Sequence, residues 1–287
     1  MGAGAVRAAI ITNPMKDQGY EVSRRAVGVL MDAGVTVCAL PEACAALPEG
    51  VQTALLPELY ACDFIVTLGG DGTILAAARE AAEASPVLGI NLGRKGFLTE
   101  VEVGDLDEAL RCAAAGRYTV ERRLMLQAVV FDETGVERCR TLALNDMYAS
   151  GTVARLVHLE VRIRGRVVGR YAADGVLVAS PTGSTGYSLS AGGPVVSPDV
   201  PCMLITPVCA HSLRAVPVVI SAEETVVLRT DGPTREVRLS ADGEESIRVR
   251  EGWRIEVSRA GRDARFIRLG QRDFYGLLRD KFTEWNS

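Results

Sequence analysis

The chain has 287 residues, a formal net charge of -4, and 48% hydrophobic and 24% charged residues. That is the length of one large or two ordinary domains, in the composition range of globular proteins. There is no basic surplus of the kind nucleic acid selects, and no apolar run near the roughly 20 residues that span a bilayer. The expected partners are therefore small molecules, not nucleic acid or membrane.

Residues 6–11 read as a strand, with no basic region or cleavable apolar segment before them, which predicts a cytoplasmic protein. Residues 21–33 carry helical spacing through Val22, Ala26, Val29 and Leu30, and stop at Gly34. Residues 35–40 and 64–68 are strand-like, a helix follows Thr73, and residues 87–90 form the next strand. Residues 105–115 read as a helix, with Asp105 as N-cap and Gly116 as stop. Strands alternating with helices predict a parallel sheet with crossover helices, so residues 1–117 read as an α/β domain.

The pattern changes near Tyr118. Val157, Leu159, Val161 and Ile163 repeat with period two, and short apolar runs follow at 226–228, 237–239, 247–249 and 255–257. Turn signals separate them at Gly165, Asp231-Gly232, Asp242-Gly243 and Gly252. Residues 118–269 therefore read as an all-β sandwich or layered sheet. The tail, 270–287, regains helical spacing through Phe274, Leu277, Leu278 and Phe282, and is expected to pack back on the first domain. Seven scattered cysteines, an odd number with no CxxC pair, read as reduced, buried small hydrophobes.

Four stretches carry candidate chemistry. The first is Gly69-Gly70-Asp71-Gly72-Thr73, directly after the strand at 64–68. Glycine lets backbone approach a ligand, N–H groups at a helix start suit phosphate, and the carboxylate in the turn can take a proton or hold a metal. The second is Asn91 to Thr99, where Gly93 and Gly96 flank Arg94 and Lys95, two possible phosphate contacts. Asn145-Asp146 is the third. The fourth opens with Asp174-Gly175 and continues from Ser180 to Pro194, dense in glycine and small hydroxyls around Tyr187. Tight turns and solvated faces account for the first three as readily as a site does. The fourth is denser than a surface loop needs, and its hydroxyls, N–H groups and tyrosine ring suit ribose, amides and a stacked base. GxGxxG after the first strand, GxxxxGK[ST] and GxSxG are all absent.

Together, in this order, the stretches resemble the NAD kinase family, strongly from Asp63 to about Pro217. Gly-Gly-Asp-Gly occurs also in diacylglycerol and sphingosine kinases and phosphofructokinases; the run from Asp174 to Pro194 discriminates. Gly96-Phe97-Leu98-Thr99 and Ile205-Thr206-Pro207 with His211-Ser212-Leu213 support it. The resemblance implies an α/β domain plus a β domain with the active site in the cleft between them. It implies transfer of phosphate from ATP, or polyphosphate in some members, to the adenosine-ribose 2′-hydroxyl of NAD, with a divalent metal, usually magnesium, in a homodimer or homotetramer. Asp71 matches the proton acceptor, with Gly69, Gly70, Gly72 and Thr73 around it. Asn145 and Asp146 match an Asn-Glu pair on adenine and ribose, and Asp174 a carboxylate near the nicotinamide. Thr185, Gly186, Tyr187, Ser188 and Ser190 match the loop that wraps the dinucleotide, and Arg155 lies near a ligand contact. The chain departs from the pattern at Asp146, one methylene short, at Lys95, Gly186 and Ala210, and at Glu244, where glutamine is common. Two alternatives remain: a kinase of another hydroxyl, such as a diacylglycerol-type lipid, and a non-catalytic NAD(P)-binding sensor.

Overall fold

A computed structural model describes residues 5–94, 96–151, 156–212, 214–234, 236–244, 247–270 and 274–285. The chain forms two compact units, Met1–Arg122 with Ala264–Ser287, and Arg123–Asp263.

The first unit runs β1 (Arg7–Thr12), α1 (Glu21–Asp32), β2 (Thr36–Ala39), α2 (Pro41–Cys44), β3 (Gln52–Thr53), α3 (Leu56–Leu59), β4 (Phe64–Gly69), α4 (Asp71–Glu80), β5 (Val87–Asn91), β6 (Val101–Glu102), α5 (Leu106–Ala114) and β7 (Thr119–Arg123). Its central strands β4 and β5 are buried along their whole length because both faces are covered, as in parallel sheets. On one face Ala26, Val27 and Leu30 of α1 and Leu106 and Leu110 of α5 pack on Ile10, Val66 and Ile90. On the other, Gly89 leaves room for Ile74 of α4, which a Cβ would overlap. Asp105 precedes α5 but makes no side-chain cap; Asp107 and Glu108 supply the acidic first turn instead. Gly116, at φ +67°, ends that helical run as expected.

The second unit runs β8 (Leu126–Phe131), β9 (Glu137–Ala143), β10 (Asp146–Ser150), β11 (Val157–Ile163), β12 (Arg166–Ala173), β13 (Gly175–Ala179), α6 (Tyr187–Ser190), β14 (Cys202–Val208), β15 (Val218–Ser221), β16 (Val226–Thr230), β17 (Glu236–Ala241), β18 (Ile247–Arg250) and β19 (Arg254–Arg259). The strands form two sheets, ordered β15-β14-β13-β10-β17-β18 and β12-β11-β16-β19-β8-β9. Among the described residues the strand pairs of both sheets are antiparallel. Met147, Val176 and Leu239 of one sheet share a core with Leu159, Leu228 and Val257 of the other, which makes a sandwich.

The chain then returns through β20 (Ala264–Arg268) and ends in α7 (Phe274–Trp285). The first sheet is ordered β3-β2-β1-β4-β5-β20-β7, with β6 beside β5. The sequence groups residues 118–123 and 264–269 with the β-rich part; β7 and β20 instead join the first sheet, β20 running parallel to β5 with Phe266 beside Val87. Local periodicity fixes that a segment is a strand, not which sheet accepts it. The cysteines are free, but only Cys38, Cys62 and Cys202 are buried; Cys209 is exposed, so the reading of uniformly buried thiols fails there.

Arg268 pins the returning strand. Its guanidinium, 5% exposed, meets Glu100 at 3.0 Å and Glu121 at 2.5 Å. Removing one partner of a buried pair leaves charge uncompensated. Arg268→Ala is expected to lower stability by about 3 kcal/mol, read as a shift in the urea midpoint.

Candidate functional site

Strand β1 has β2 on one side and β4 on the other, so connections leave it in opposite directions. Open α/β sheets form a crevice at such a point, outside the carboxyl ends of the strands. The chain leaving β1 is built to enter it. The Asn13 carbonyl accepts the N–H groups of Lys16 and Asp17, both at 3.0 Å, and the Asn13 side chain accepts the Met15 N–H at 3.0 Å. Asp17, buried, accepts from Val22 N–H at 3.0 Å, Ser23 N–H at 2.9 Å and the Ser23 hydroxyl at 2.6 Å, which anchors α1. The Lys16 ammonium is thereby held against Gly70, where a Cβ would overlap it, and beside Gly93. Sequence reading missed Lys16. Its signal was only its place four residues beyond a strand end.

Asp71 opens α4, so the glycine turn is shorter than the sequence implied and Gly72 lies inside the helix. The Asp71 carboxylate accepts three consecutive backbone N–H groups, Phe97 at 2.7 Å on Oδ2 and Leu98 and Thr99 at 3.1 and 3.3 Å on Oδ1. Gly96 is required for this docking, because a Cβ would collide with the carboxylate. A carboxylate offers about four acceptor positions. With three filled, one remains on Oδ2. Gly69 gives room to Thr73, whereas nothing packs where a Gly72 Cβ would stand. A helical glycine costs about 1 kcal/mol relative to alanine, and packing supplies no reason for it here. Arg94 is exposed at the same strand-end loop; Lys95 lies outside the described residues.

In the second unit, Leu144 and Asn145 link β9 of one sheet to β10 of the other. The Asp242 carboxylate accepts the N–H groups of Leu144, Asn145 and Asp146 at 2.9, 2.7 and 3.1 Å. Ser180 serves the carbonyls: its hydroxyl donates to Leu144 and its N–H to Asn145 at 2.8 Å. Gly183 packs so closely on the Asn145 backbone that a Cβ is excluded. The backbone is thus secured while neither the Asn145 nor the Asp146 side chain bonds to any described residue. Asp146 is 7% exposed. Burial, and then the charge of Asp242, push its carboxyl up to about 7.

The hydroxyl-rich stretch divides in two. Ser184 bonds the Val196 backbone, with its N–H and carbonyl at 3.0 and 3.1 Å. Ser188, fully buried, meets the Thr206 hydroxyl at 2.9 Å. Thr185 and Gly186 are half-buried, and Tyr187 and Ser190 are exposed. The Tyr187 ring meets Tyr148 edge to face, centroids 5.3 Å apart at 82°. Gly175 leaves the space that the Tyr148 ring fills. Burial, with the Tyr187 hydroxyl second, holds the Tyr148 phenol protonated well beyond its ordinary range. Asp174 is exposed on the other side of Gly175 and interacts with the Cys209 thiol. Glu244 is exposed two residues beyond Asp242; Arg155 lies outside the described residues. Tyr148 and Asp242 were also missed, the first hidden in a strand and the second read as a turn former.

Two family models match the chain: the ATP-NAD kinase N-terminal domain over residues 8–118 and the ATP-NAD kinase C-terminal domain over residues 144–269. An NAD kinase of Desulforamulus reducens is 46% identical over 242 residues, 83% of each chain. An NAD kinase of Moorella thermoacetica is 40% identical over 283 residues, 98% of this chain and 90% of the relative. Among solved structures, yeast NADH kinase complexed with NADH is similar with a TM-score of 0.89 at 26% identity, over 99% of this chain and 89% of that one. An NAD kinase from Archaeoglobus fulgidus in complex with ATP gives 0.77 at 28% identity, over 96% and 98%.

The Asp146 environment sets a stability slope. Unfolded, Asp146 ionises near its ordinary 3.8; folded, it keeps its proton up to about 7. Its contribution to stability is therefore undiminished below 3.8 and declines as pH rises to about 7, by up to about 1.4 kcal/mol per unit. Asp146→Asn removes this slope. Thermal melts across pH are expected to show the variant gaining on the parent through that window and holding a constant lead above it.

Proposed function

The chain belongs to the ATP-NAD kinase family, and on that premise we propose how it phosphorylates NAD to NADP with ATP as donor. The observation that carries the phosphoryl-transfer reading is the end of β4. There the Lys16 ammonium, with no described partner, stands against Gly70, the space over Gly72 is open, and Asp71 keeps one free acceptor position. Phosphoryl transfer asks mainly for positioning and charge neutralisation. Lys16 and Arg94 suit the donor's phosphates as point charge and fork. The N–H groups at the start of α4 add to them.

A ribose hydroxyl is a weak nucleophile at neutral pH. Asp71 is the proposed proton acceptor, through the remaining position on Oδ2, an effect worth about 10²–10⁴-fold. Its other acceptor positions orient it by holding Phe97, Leu98 and Thr99. Asn145 and Asp146 are the proposed adenosine contacts, because a desolvated carboxyl and an amide without protein partners suit hydroxyls and a base edge. Tyr187, braced by Tyr148, offers a stacking surface, and Asp174 a carboxylate for an amide. Thr185, Gly186 and Ser190 complete the ligand loop. Ser188, engaged with Thr206, acts on its shape.

Magnesium belongs to the same proposal: it is commonly held by substrate phosphates with only one or two carboxylates, and with the remaining Asp71 position given to the hydroxyl, the donor's phosphates would supply most of its ligands. When bound, it would neutralise phosphate charge. Cytoplasmic location belongs to the same proposal; no helix among the described residues is long and apolar enough to cross a membrane. So does self-association to a homodimer or homotetramer, for which the edge strand β15 exposes Val218 and Val219.

Purified protein offered NAD, NADH and diacylglycerol, each with ATP or polyphosphate and magnesium, is expected to form NADP(H). Phosphorylation of lipid alone, or tight NAD binding without turnover on either donor, rejects the reading. Asp71→Asn is expected to retain less than about a tenth of kcat. Hydrogen exchange at Phe97 to Thr99 separates the two roles of Asp71: lost turnover with protected amides marks the base, and lost protection marks the loop anchor.

A further inference from the structure

Asp242 occupies the turn between β17 and β18 in the left-handed region, at φ +51°, where Asp and Asn are tolerated. Its backbone N–H donates to the Asp146 carbonyl at 2.9 Å, and its carboxylate holds the N–H groups of residues 144–146. The link from β9 to β10 crosses from one sheet to the other, so Leu144 and Asn145 lie in no ladder; Asp146 opens β10, and its N–H too goes to Asp242. Buried N–H groups without acceptors are costly. Asp242 meets all three, and Ser180 meets the facing carbonyls. The side chains of Asn145 and Asp146 make none of these bonds.

We infer that Asp242 is the positioning residue of the dinucleotide site, fixing the 144–146 backbone so that Asn145 and Asp146 are presented to the adenosine without protein partners of their own. This rests on the reading of that pair as ligand contacts. Asp242 acts through the pair, as a clamp on its backbone and as a negative charge beside the Asp146 carboxyl. Among the described residues no cation acts on that carboxyl; burial and Asp242 are its two influences.

The test uses the full chain. Asp242→Ala removes every acceptor at a left-handed position and risks the fold. Asp242→Asn keeps an amide oxygen, tolerates the conformation and deletes the charge. With Asp242→Asn, KM for NAD and the calorimetric Kd for NAD are expected to rise about tenfold or more, while KM for ATP stays within about twofold. The pH midpoint of NAD affinity, set by Asp146, is expected to fall, because the adjacent charge is gone. A merely structural turn residue would not move that midpoint. In Asp146→Asn, which lacks the titrating group, adding Asp242→Asn moves no midpoint. Unchanged NAD affinity and midpoint, or equal loss for both substrates, overturns the inference. The parent protein keeps the two claims apart. If it makes no NADP while Asp242→Asn still weakens NAD binding and lowers the midpoint, the catalytic reading falls and the positioning role stands. If it turns over and Asp242→Asn changes nothing, the reverse holds.

Discussion

Three consecutive backbone N–H groups that no ladder or helix bond satisfies need acceptors, and this chain twice meets that need with a single carboxylate. Asp71 takes the N–H groups of Phe97, Leu98 and Thr99, and Asp242 those of Leu144, Asn145 and Asp146. A charged acceptor makes stronger bonds than a neutral one and tolerates a fan of donors. Each clamp fixes a loop whose position no strand pairing decides. Around each, the neighbouring glycine is dictated by the clamp: Gly96 has the Asp71 carboxylate where its Cβ would be, and Gly183 the Asn145 backbone.

That constraint reassigns much of the polar chemistry a sequence offers. Ser180, Ser184 and Ser188 lie in the stretch richest in small hydroxyls, yet their hydroxyls bond Leu144, Val196 and Thr206. They shape the loop from inside. The groups left over are fewer: Asn145, Asp146 and Ser190 in the second unit, and Lys16, Arg94 and one position on Asp71 in the first, while the exposed Tyr187 engages Tyr148. Glycines sort the same way. Gly69, Gly89, Gly175 and Gly193 yield space to protein atoms, whereas Gly72 yields it to none. Gly28 in α1 is equally open, so it is the place of Gly72 beside Asp71 that gives its open space meaning.

The fold class was legible because each layer imposes its own period. Buried parallel strands gave apolar runs, and the sandwich gave alternation such as Val157, Leu159 and Val161. The sheet that accepts β7 and β20 was not legible, since a strand of five residues reads alike in either. The candidate site was legible where residue type and motif coincide, as at Asp71 and Tyr187. It was illegible where a common residue acts by location alone. Lys16 is an ordinary exposed lysine until Asn13 turns it onto Gly70, and Asp242 an ordinary turn former until β10 is laid beside β17.

Asp146 shows how the clamp changes the meaning of a departure. In the pattern the sequence resembles, this position is Glu, and the shorter side chain first reads as a loss of reach. The structure moves the question to electrostatics. The Asp242 carboxylate must lie close to residue 146 to hold its N–H, so a short side chain there has little freedom to separate the two charges. Burial and proximity then act together, and the carboxyl rises to about 7. A glutamate has an extra rotatable bond with which to move its charge away. The missing methylene therefore couples this carboxyl to the residue that holds its backbone, and makes its charge near neutral pH a property of both.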